Sequence, residues 1–548
     1  MSDTAKSGLD EIRLQIMWNR LIAVVEDQAT VLLRTAFSPI VRECGDLSAG
    51  VFDLDARMLA QAVTGTPGHV NSMAASVAHF LDHFPAATME EGDIFITNDP
   101  WMGTGHLNDF TLCTPCFVGG RLVAFFACTS HLTDVGGLGT GPDGTDVHME
   151  GIYIPMLKLA SRGKMDETAL AFIRANTRQP VETEGDVYSL AACNDVGCER
   201  LAAMMAEFEI DTLEPLAEFI LSRSEAAVKA EIAKLPRGTW RHSMTADGYE
   251  EPIELHAALT VAEDHIAVDF DGTGPQQKRA INVPATYTAA YTSFGLACAI
   301  APEVPNNAGS LGCYRVSAPV ETVLNAPYPA AVNSRHIVGQ MLPDIVFGCL
   351  HQILPDRVPA EGASCLWNLT FRGYTDRAAN EAHLFTITAV TNGGTGARPG
   401  KDGLSATAYP SGVRGTPVEI NESVAPLLFH RKELCPGSGG AGQYRGGLGQ
   451  VIEVESAIGR DFELLAAYDR VQFPARGRAG GEPGAPGHVA LESGTKLRPK
   501  GTQTIKAGER LVIHTPGGGG FGPPADRDPS AEARDRAAQL VAEPPRDG

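Results

Sequence analysis

Two histidines and an aspartate frame one stretch of this sequence, HLNDFTLCTPCFVGGRLVAFFACTSHLTDVGG, from His106 to Gly137. His106 and Asp109 precede an apolar run, and His131 follows the next one. Imidazole nitrogen and carboxylate oxygen are donors that suit zinc, manganese or iron, and three protein ligands leave positions open for water or substrate. Structural zinc sites instead use four protein ligands and favour cysteine. If the three residues meet, they offer a divalent metal that polarises a carbonyl or activates a water. If they do not meet, they are polar caps on strand ends.

The elements that must bring them together are two strands. Phe110 to Val118 and Leu122 to Thr129 are rich in Phe, Val, Leu and Thr, and Gly119-Gly120 between them signals a hairpin. With a three-residue loop, Gly119 to Arg121, Val118 faces Leu122, and counting back sets Asp109 opposite His131, with Cβ atoms about 5 Å apart. A two-residue turn would put the two side chains on opposite faces. His106, in the glycine-flanked GTGH, folds over the same end. The one CxxC, Cys113 to Cys116, has odd spacing that points its thiols to opposite faces of a strand, so it is not read as a metal pair.

The surrounding pattern predicts an α+β chain with antiparallel hairpins and a strand- and glycine-rich C-terminal part. Helical periodicity runs from about Leu9 to Thr35 and stops before Ser38-Pro39. AGVFDLDARMLAQ reads as a hairpin and GDIFITND as a buried strand. A second helical region spans roughly Val196 to Lys234, and strands dominate from Trp240 onward. The expected segments are 1–235 with the hairpin site, a strand-rich 236–430, a glycine-rich β part over 431–524, and a loose polar tail over 525–548. The glycine clusters NGGTG, GSGGAGQYRGGLG, GGEPGAPG and TPGGGGFG are read as structural turns. None is a GxxxxGK[ST] phosphate loop, and no GxGxxG sits between a clear strand and helix, so any nucleotide belongs to another subunit.

Composition narrows the class. A 43% hydrophobic, 20% charged chain of 548 residues has the balance of a globular protein of two or three domains, with no apolar run long enough to span a bilayer. A net charge of -22 excludes nucleic acid and anionic membranes as expected partners. Eleven irregularly spaced cysteines, with an N-terminus lacking signal-peptide features, give the cytoplasm as the expected compartment.

Several motifs in order carry a family resemblance: RTAFSPIVRECGDLSAGVFD, ITNDPWMGTGHLNDFTL, SHLTDVGG, EGIYIPMLKL, VDFDGTGPQ, VPNNAG, GSGGAGQYRGGLG and TPGGGGFG. Together they resemble the hydantoinase B family, which includes B subunits of ATP-dependent hydantoinases and oxoprolinases and is related to the alpha subunits of acetone and acetophenone carboxylases. The resemblance implies a metal held at the positions of His106, Asp109 and His131, with zinc, manganese and iron all admitted. It also implies a hydantoinase A-type partner that handles ATP with magnesium in a heterotetramer or larger assembly, and a small cyclic amide as substrate. Asp134 is expected either to orient His131 or to be a turn residue before Gly136-Gly137. Asp146 and Glu150 match acidic family positions and join Asp134 as catalytic candidates. His69, in GTPGHVNSM, also matches a family motif, whereas His148 replaces a more usual aromatic. The implied activity is ATP-dependent opening of a hydantoin, 5-oxoproline or lactam ring. A ketone carboxylase subunit and a non-catalytic scaffold for the A subunit are the alternatives.

Overall fold

The computed structural model describes residues 3–63, 65–376, 378 and 384–541. As the pattern predicts, it is an α+β chain whose strands form four separate sheets. The first sheet contains β1 (Leu47–Phe52), β2 (Met58–Gln61), β3 (Ile94–Thr97), β4 (Asp109–Val118), β5 (Arg121–His131), β6 (Leu157–Ser161) and β7 (Lys164–Met165), in the order β2-β1-β5-β4-β3-β6-β7. Its central strands are covered on both faces. Phe110, Leu112, Cys116, Phe126 and Cys128 pack toward helices Asp3–Thr35 and Pro180–Glu207, and Cys113, Phe125 and Ala127 pack toward helix Pro67–His83. The strand period of two thus separates the CxxC thiols onto opposite faces. It also sets the end residues of β4 and β5, Asp109 and His131, on the face of helix Pro67–His83.

The hairpin reaches the expected end register by a different route. Val118 pairs with Arg121 across a two-residue Gly119-Gly120 turn, in which both glycines have positive φ (59° and 77°). That turn suits the right-handed twist of paired strands. Alone it would have opposed the wrong residues. A bulge then intervenes: Phe117 pairs with Leu122 and Cys116 with Ala124, leaving Val123 as the extra residue, and from there Asp109 falls opposite His131. The expected three-residue loop is therefore corrected to a tight turn plus a bulge. The two count alike beyond Cys116 because a bulge adds one residue to one strand.

The second sheet, ordered β11-β10-β9-β8, contains β8 (Gly238–Ala246), β9 (Ile253–Val261), β10 (Ile266–Asp269) and β11 (Tyr314–Ser317), and it packs on helices Ala285–Ile300 and Leu342–Leu350. The remaining strands are β12 (Leu369–Tyr374), β13 (Leu384–Ala389), β14 (Leu427–Leu434), β15 (Gln450–Ser456), β16 (Phe462–Ala467), β17 (His488–Leu491), β18 (Lys500–Ile505) and β19 (Leu511–His514). They build two four-stranded sheets around one core of Trp367, Phe371, Ile452, Leu464 and Ile513.

Three sequence expectations change. The helical region begins at Pro180 and breaks before a second helix, Glu214–Ile232, with Glu209 at φ 51° in the break. Its first half buries Thr183, Gly185, Asp186, Ser189 and Asn194 among Val187, Leu190 and Cys193, so small and polar residues interrupt the apolar periodicity there. Most glycines of the clusters are not turns but extended chain packed backbone to backbone. Gly394 donates to Pro516 O, Gly518 to Gly447 O and Gly447 to Thr395 O, and a Cβ at Gly394 or Gly518 would collide with a neighbouring carbonyl oxygen. The stretch expected as a loose tail includes a docked helix, Pro529–Ala537. Buried Asp535 pairs with Arg445 (3.2 Å) and Arg527 (2.5 Å), and Arg527 also reaches Asp402. The tail is held by ion pairs, which leave no hydrophobic signature. No helix among the described residues is long and apolar enough to cross a membrane.

Candidate metal centre

Asp109, the first residue of β4, is the hub of the site and is fully buried at its side chain. Its Oδ1 lies 2.7 Å from His106 Nε2 and 3.3 Å from His131 Nδ1, and the two imidazole nitrogens are 3.3 Å apart. Its Oδ2 accepts from Thr104 Oγ1 (2.6 Å) and pairs with Arg335 (2.5 Å) and His69 Nε2 (3.0 Å). The partners come from four different segments. His131 ends β5, His106 and Thr104 come from the loop before β4, His69 from the first turn of helix Pro67–His83, and Arg335 from the residue preceding helix His336–Gly339.

Local geometry fixes each group. The ring of His106 contacts Asn333 O through Nδ1 at 2.9 Å, so Nδ1 carries the proton and the Nε2 lone pair faces Asp109 and His131. Arg335 Nε donates to Thr104 O, and its guanidinium lies 4.2 Å from the Tyr287 ring centroid. Gly105, at φ 100°, lets the loop pass Arg335, since a Cβ there would sit 2.6 Å from Arg335 Cδ.

The electrostatics follow from burial and charge. Desolvation works against an ionised Asp109, but His69 and Arg335, joined by His106 at the low pH where its ring is protonated, outweigh it and hold the carboxyl well below the usual range. Burial, reinforced by Arg335, lowers His106 to about 3 and keeps its ring neutral. His69 moves the other way. Its burial is overcome by Asp109 and Asp46, and its pKa is raised.

His106, Asp109 and His131 are the described residues whose donor atoms gather closely enough to hold an ion. A tetrahedral sphere with bonds near 2.05 Å separates its ligand atoms by roughly 3.3 Å. The separations here, 2.7 to 3.3 Å, are of that size. Two neutral-capable imidazoles and an ionised carboxylate form a nitrogen and oxygen set that suits zinc, manganese or iron. The donor set therefore fits a divalent ion.

The acidic candidates occupy other places. Asp134 Oδ1 pairs with Arg178 (2.6 Å) and accepts from Gly136 N (3.3 Å), while its Oδ2 accepts from Arg178 N, so it fastens a turn and does not orient His131. Asp146 accepts from His148 N at the start of a short 3-10 turn, and His148 faces Tyr328 on the surface. Glu150 is buried one step behind the cluster. Its Oε1 accepts from Val332 N (2.7 Å) and Asn333 N (2.9 Å), positioning the carbonyl that meets His106, and burial raises its pKa to about 8. Sequence reasoning missed Thr104, Arg335, Asn333 and Tyr287. The last three lie some 150 residues or more beyond the hairpin, and no spacing rule reaches across that distance.

Comparison with known proteins agrees with this architecture. The Hydantoinase B/oxoprolinase family model matches residues 10–524. The chain is 31% identical over 531 residues to an uncharacterised protein of Methanocaldococcus jannaschii, covering 95% of this chain and 92% of that one. It is 27% identical to the caprolactamase subunit beta of Pseudomonas jessenii, covering 95% and 92%. It is 29% identical to 5-oxoprolinase 1 of Arabidopsis thaliana, covering 94% of this chain but only 42% of that longer one. The solved ATP-dependent caprolactamase from Pseudomonas jessenii superposes with TM-score 0.87 at 25% identity, covering 97% of this chain and 94% of that one. An acetone carboxylase structure shares the fold, with TM-score 0.86 at 20% identity and coverage of 96% and 78%. By the near-complete span of the family match, this chain belongs to the hydantoinase B/oxoprolinase family.

Proposed function

We propose that the chain is the B subunit of an ATP-dependent cyclic amide hydrolase that opens hydantoin, 5-oxoproline or lactam rings. A hydantoinase A-type partner handles ATP and magnesium in a heterotetramer or larger cytoplasmic complex. The observation that supports this most is the buried His106, Asp109 and His131 cluster in a chain with no recognisable phosphate loop. A divalent ion held by these three side chains would supply Lewis acidity toward a carbonyl or a water. The chain's own residues prepare that chemistry. Arg335 and Thr104 occupy Asp109 Oδ2 and leave Oδ1 turned toward the histidines, and Asn333 fixes the His106 tautomer. An amide is resonance-stabilised, so coupling its opening to ATP cleavage in a partner has a chemical rationale. Naming of the P. jessenii relative as a caprolactamase subunit favours the hydrolase over the ketone carboxylase alternative, whose structural match carries the fold alone. A scaffold role fits poorly with so many ionisable groups packed out of water, because keeping them there is costly.

The test is made on the copurified complex. Wild type is expected to hold about one metal ion per B chain and to open at least one of 5-oxoproline, hydantoin and ε-caprolactam. His131→Ala should lose the ion and ring opening while the complex still assembles. Near-normal ring opening by a metal-free variant would refute the reading, and bicarbonate incorporated into product would favour the carboxylase.

A further inference from the structure

A larger cavity, of about 360 Å³, shares no lining residue with the pocket of the metal centre. Helix Pro67–His83 borders both: it sends His69 to Asp109 and presents Pro67, Val70 and Asn71 to this cavity. The volume is at the low end of small-molecule pockets, about 300–1,000 Å³, and gives room for one small ring. Val228, Phe294, Ala297 and Val304 supply apolar wall, and exposed Val63 and Cys298 mark the side open to solvent. No Asp, Glu, Lys, Arg or His lines it among the described residues. An ionised ligand would lose its hydration there and find no counter-charge, so the ligand is neutral.

Its polar groups are carboxamides tied into one cluster. Asn306 Nδ2 donates to Gln61 Oε1 (2.8 Å) and to Asn71 Oδ1 (2.6 Å), which uses both of its hydrogens. Gln61 Nε2 and Asn306 Oδ1 are left without a protein partner among the described residues. Within an amide the N and O lie about 2.3 Å apart. Across the 2.8 Å bond the free donor and the free acceptor are therefore at most roughly 7.4 Å from each other. A cis amide that hydrogen-bonds at both ends spans up to about 8 Å. One such group bridges the pair, giving its N–H to Asn306 Oδ1 and accepting from Gln61 Nε2 through its carbonyl. Open-chain secondary amides are trans and point N–H and C=O in opposite directions, whereas a small ring holds its amide cis. Tyr314, 8% exposed, lines the same cavity, and its hydroxyl is buried without a partner. Buried polar atoms are nearly always paired, so this one also calls for a ligand.

We propose that this cavity binds an uncharged lactam ring apart from the metal centre, its amide edge on Gln61 and Asn306 and its methylenes against Phe294, Ala297 and Val304. Calling that ring a substrate rests on the hydrolase reading above and narrows its substrate class. 5-Oxoproline carries a carboxylate that this wall cannot compensate, whereas ε-caprolactam buries only an amide and methylenes. Gln61 and Asn306 thus determine which ring is taken, and no bond is made or broken in the cavity.

Three measurements test this. A crystal of the full chain soaked in ε-caprolactam should show one ring in the cavity, its amide about 3 Å from Gln61 Nε2 and Asn306 Oδ1. An empty cavity overturns the proposal. Cys298 is the one exposed cysteine of the eleven and lines the cavity. Its alkylation by N-ethylmaleimide, followed on the full chain by mass spectrometry, should slow roughly tenfold with ε-caprolactam at about nine times its Kd and not at all with 5-oxoproline. Absence of protection by the lactam overturns the site, and equal protection by 5-oxoproline overturns the ligand class. In the copurified complex, Gln61→Leu removes the donor and Ala297→Phe fills the space. Each should raise KM for ε-caprolactam by about tenfold, with a much smaller change in kcat and with metal content and thermal midpoint near wild type. Unchanged KM in both, with the ring visible in the soaked crystal, overturns the substrate assignment, and so does preferential opening of 5-oxoproline by wild type. A wild-type complex that opens none of the three rings rejects the hydrolase reading and the substrate assignment with it, whereas the lactam site stands or falls on the soak and on Cys298.

Discussion

At the scale of residues, Asp109 does two jobs that pull apart under mutation. It offers Oδ1 to the histidines, and it neutralises Arg335, whose side chain is only 3% exposed. Removing one member of a buried pair leaves the other charge uncompensated, at a cost of about 3–5 kcal/mol. Asp109→Ala is therefore expected to lose both activity and stability, while Asp109→Ala combined with Arg335→Met should recover a large part of the stability and none of the activity. Urea unfolding of the set checks this, and additive losses would show that the pair is not coupled. Glu150 gives a second test. Burial sets its folded pKa at about 8 although the backbone N–H groups of Asn333 and Val332 pull it down, against about 4.3 in an unfolded chain. A raised carboxyl contributes stability that is complete below the unfolded value and is lost as pH rises through the folded one. Wild type should thus lose stability between about pH 4.3 and 8, and Glu150→Gln, which cannot ionise, should flatten that slope in denaturant titrations run across the range.

At the scale of elements, the site depends on one extra residue. Val123 converts the parity set by the Gly119-Gly120 turn into the parity that puts Asp109 and His131 on the same face. Deleting it forces a choice between the turn and the register beyond it, because a one-residue slip moves every later side chain to the other face. Phe125, Phe126 and Cys128 are fully buried on alternating faces, so the slip would drive His131 toward the apolar core under helix Pro180–Glu207. The deletion variant is expected to be poorly soluble and unable to bind metal. Gly119→Ala, which strains a φ of 59° but leaves the register intact, should cost only about 1–2 kcal/mol and keep metal binding. Equal behaviour of the two variants, by solubility and elemental analysis, would remove the bulge from the account.

At the scale of the whole molecule, distant segments share cores and charges. Val390 and Val413 pack in the same core as Ala29 and Cys128. Arg470 reaches Glu361 (3.1 Å) and Asp344 (3.3 Å) with all three side chains almost wholly buried. Desolvation raises the Asp344 carboxyl to about 6 even beside that guanidinium. The C-terminal helix belongs to the same order of contact. Truncation after residue 524 removes Asp535 and Arg527 and leaves the largely buried Arg445 without its partner. The truncated chain is expected to be less stable by about 1–3 kcal/mol, the range for loss of a buried polar partner. Calorimetry showing an unchanged midpoint would return 525–541 to the status of a tail.

The sequence by itself determined what strand alternation and local turn chemistry can encode: the β4–β5 hairpin, the division of Cys113 from Cys116, the α+β class, and the meeting of His106, Asp109 and His131 at one strand end. Its motifs also placed the chain in its family. The turn type escaped it because a three-residue loop and a two-residue turn with a bulge give the same count at Asp109. Only the tertiary structure decided the rest of the site. Arg335 and Asn333 arrive from a segment some 200 residues away, carried by packing between helices and sheets, and such contacts leave no periodicity near either partner. Asp134 and Glu150 show the converse. Their positions in the chain suggested catalysis, but Arg178 takes both oxygens of Asp134 and the backbone of Val332 and Asn333 takes Oε1 of Glu150, and only the folded chain brings those partners within reach.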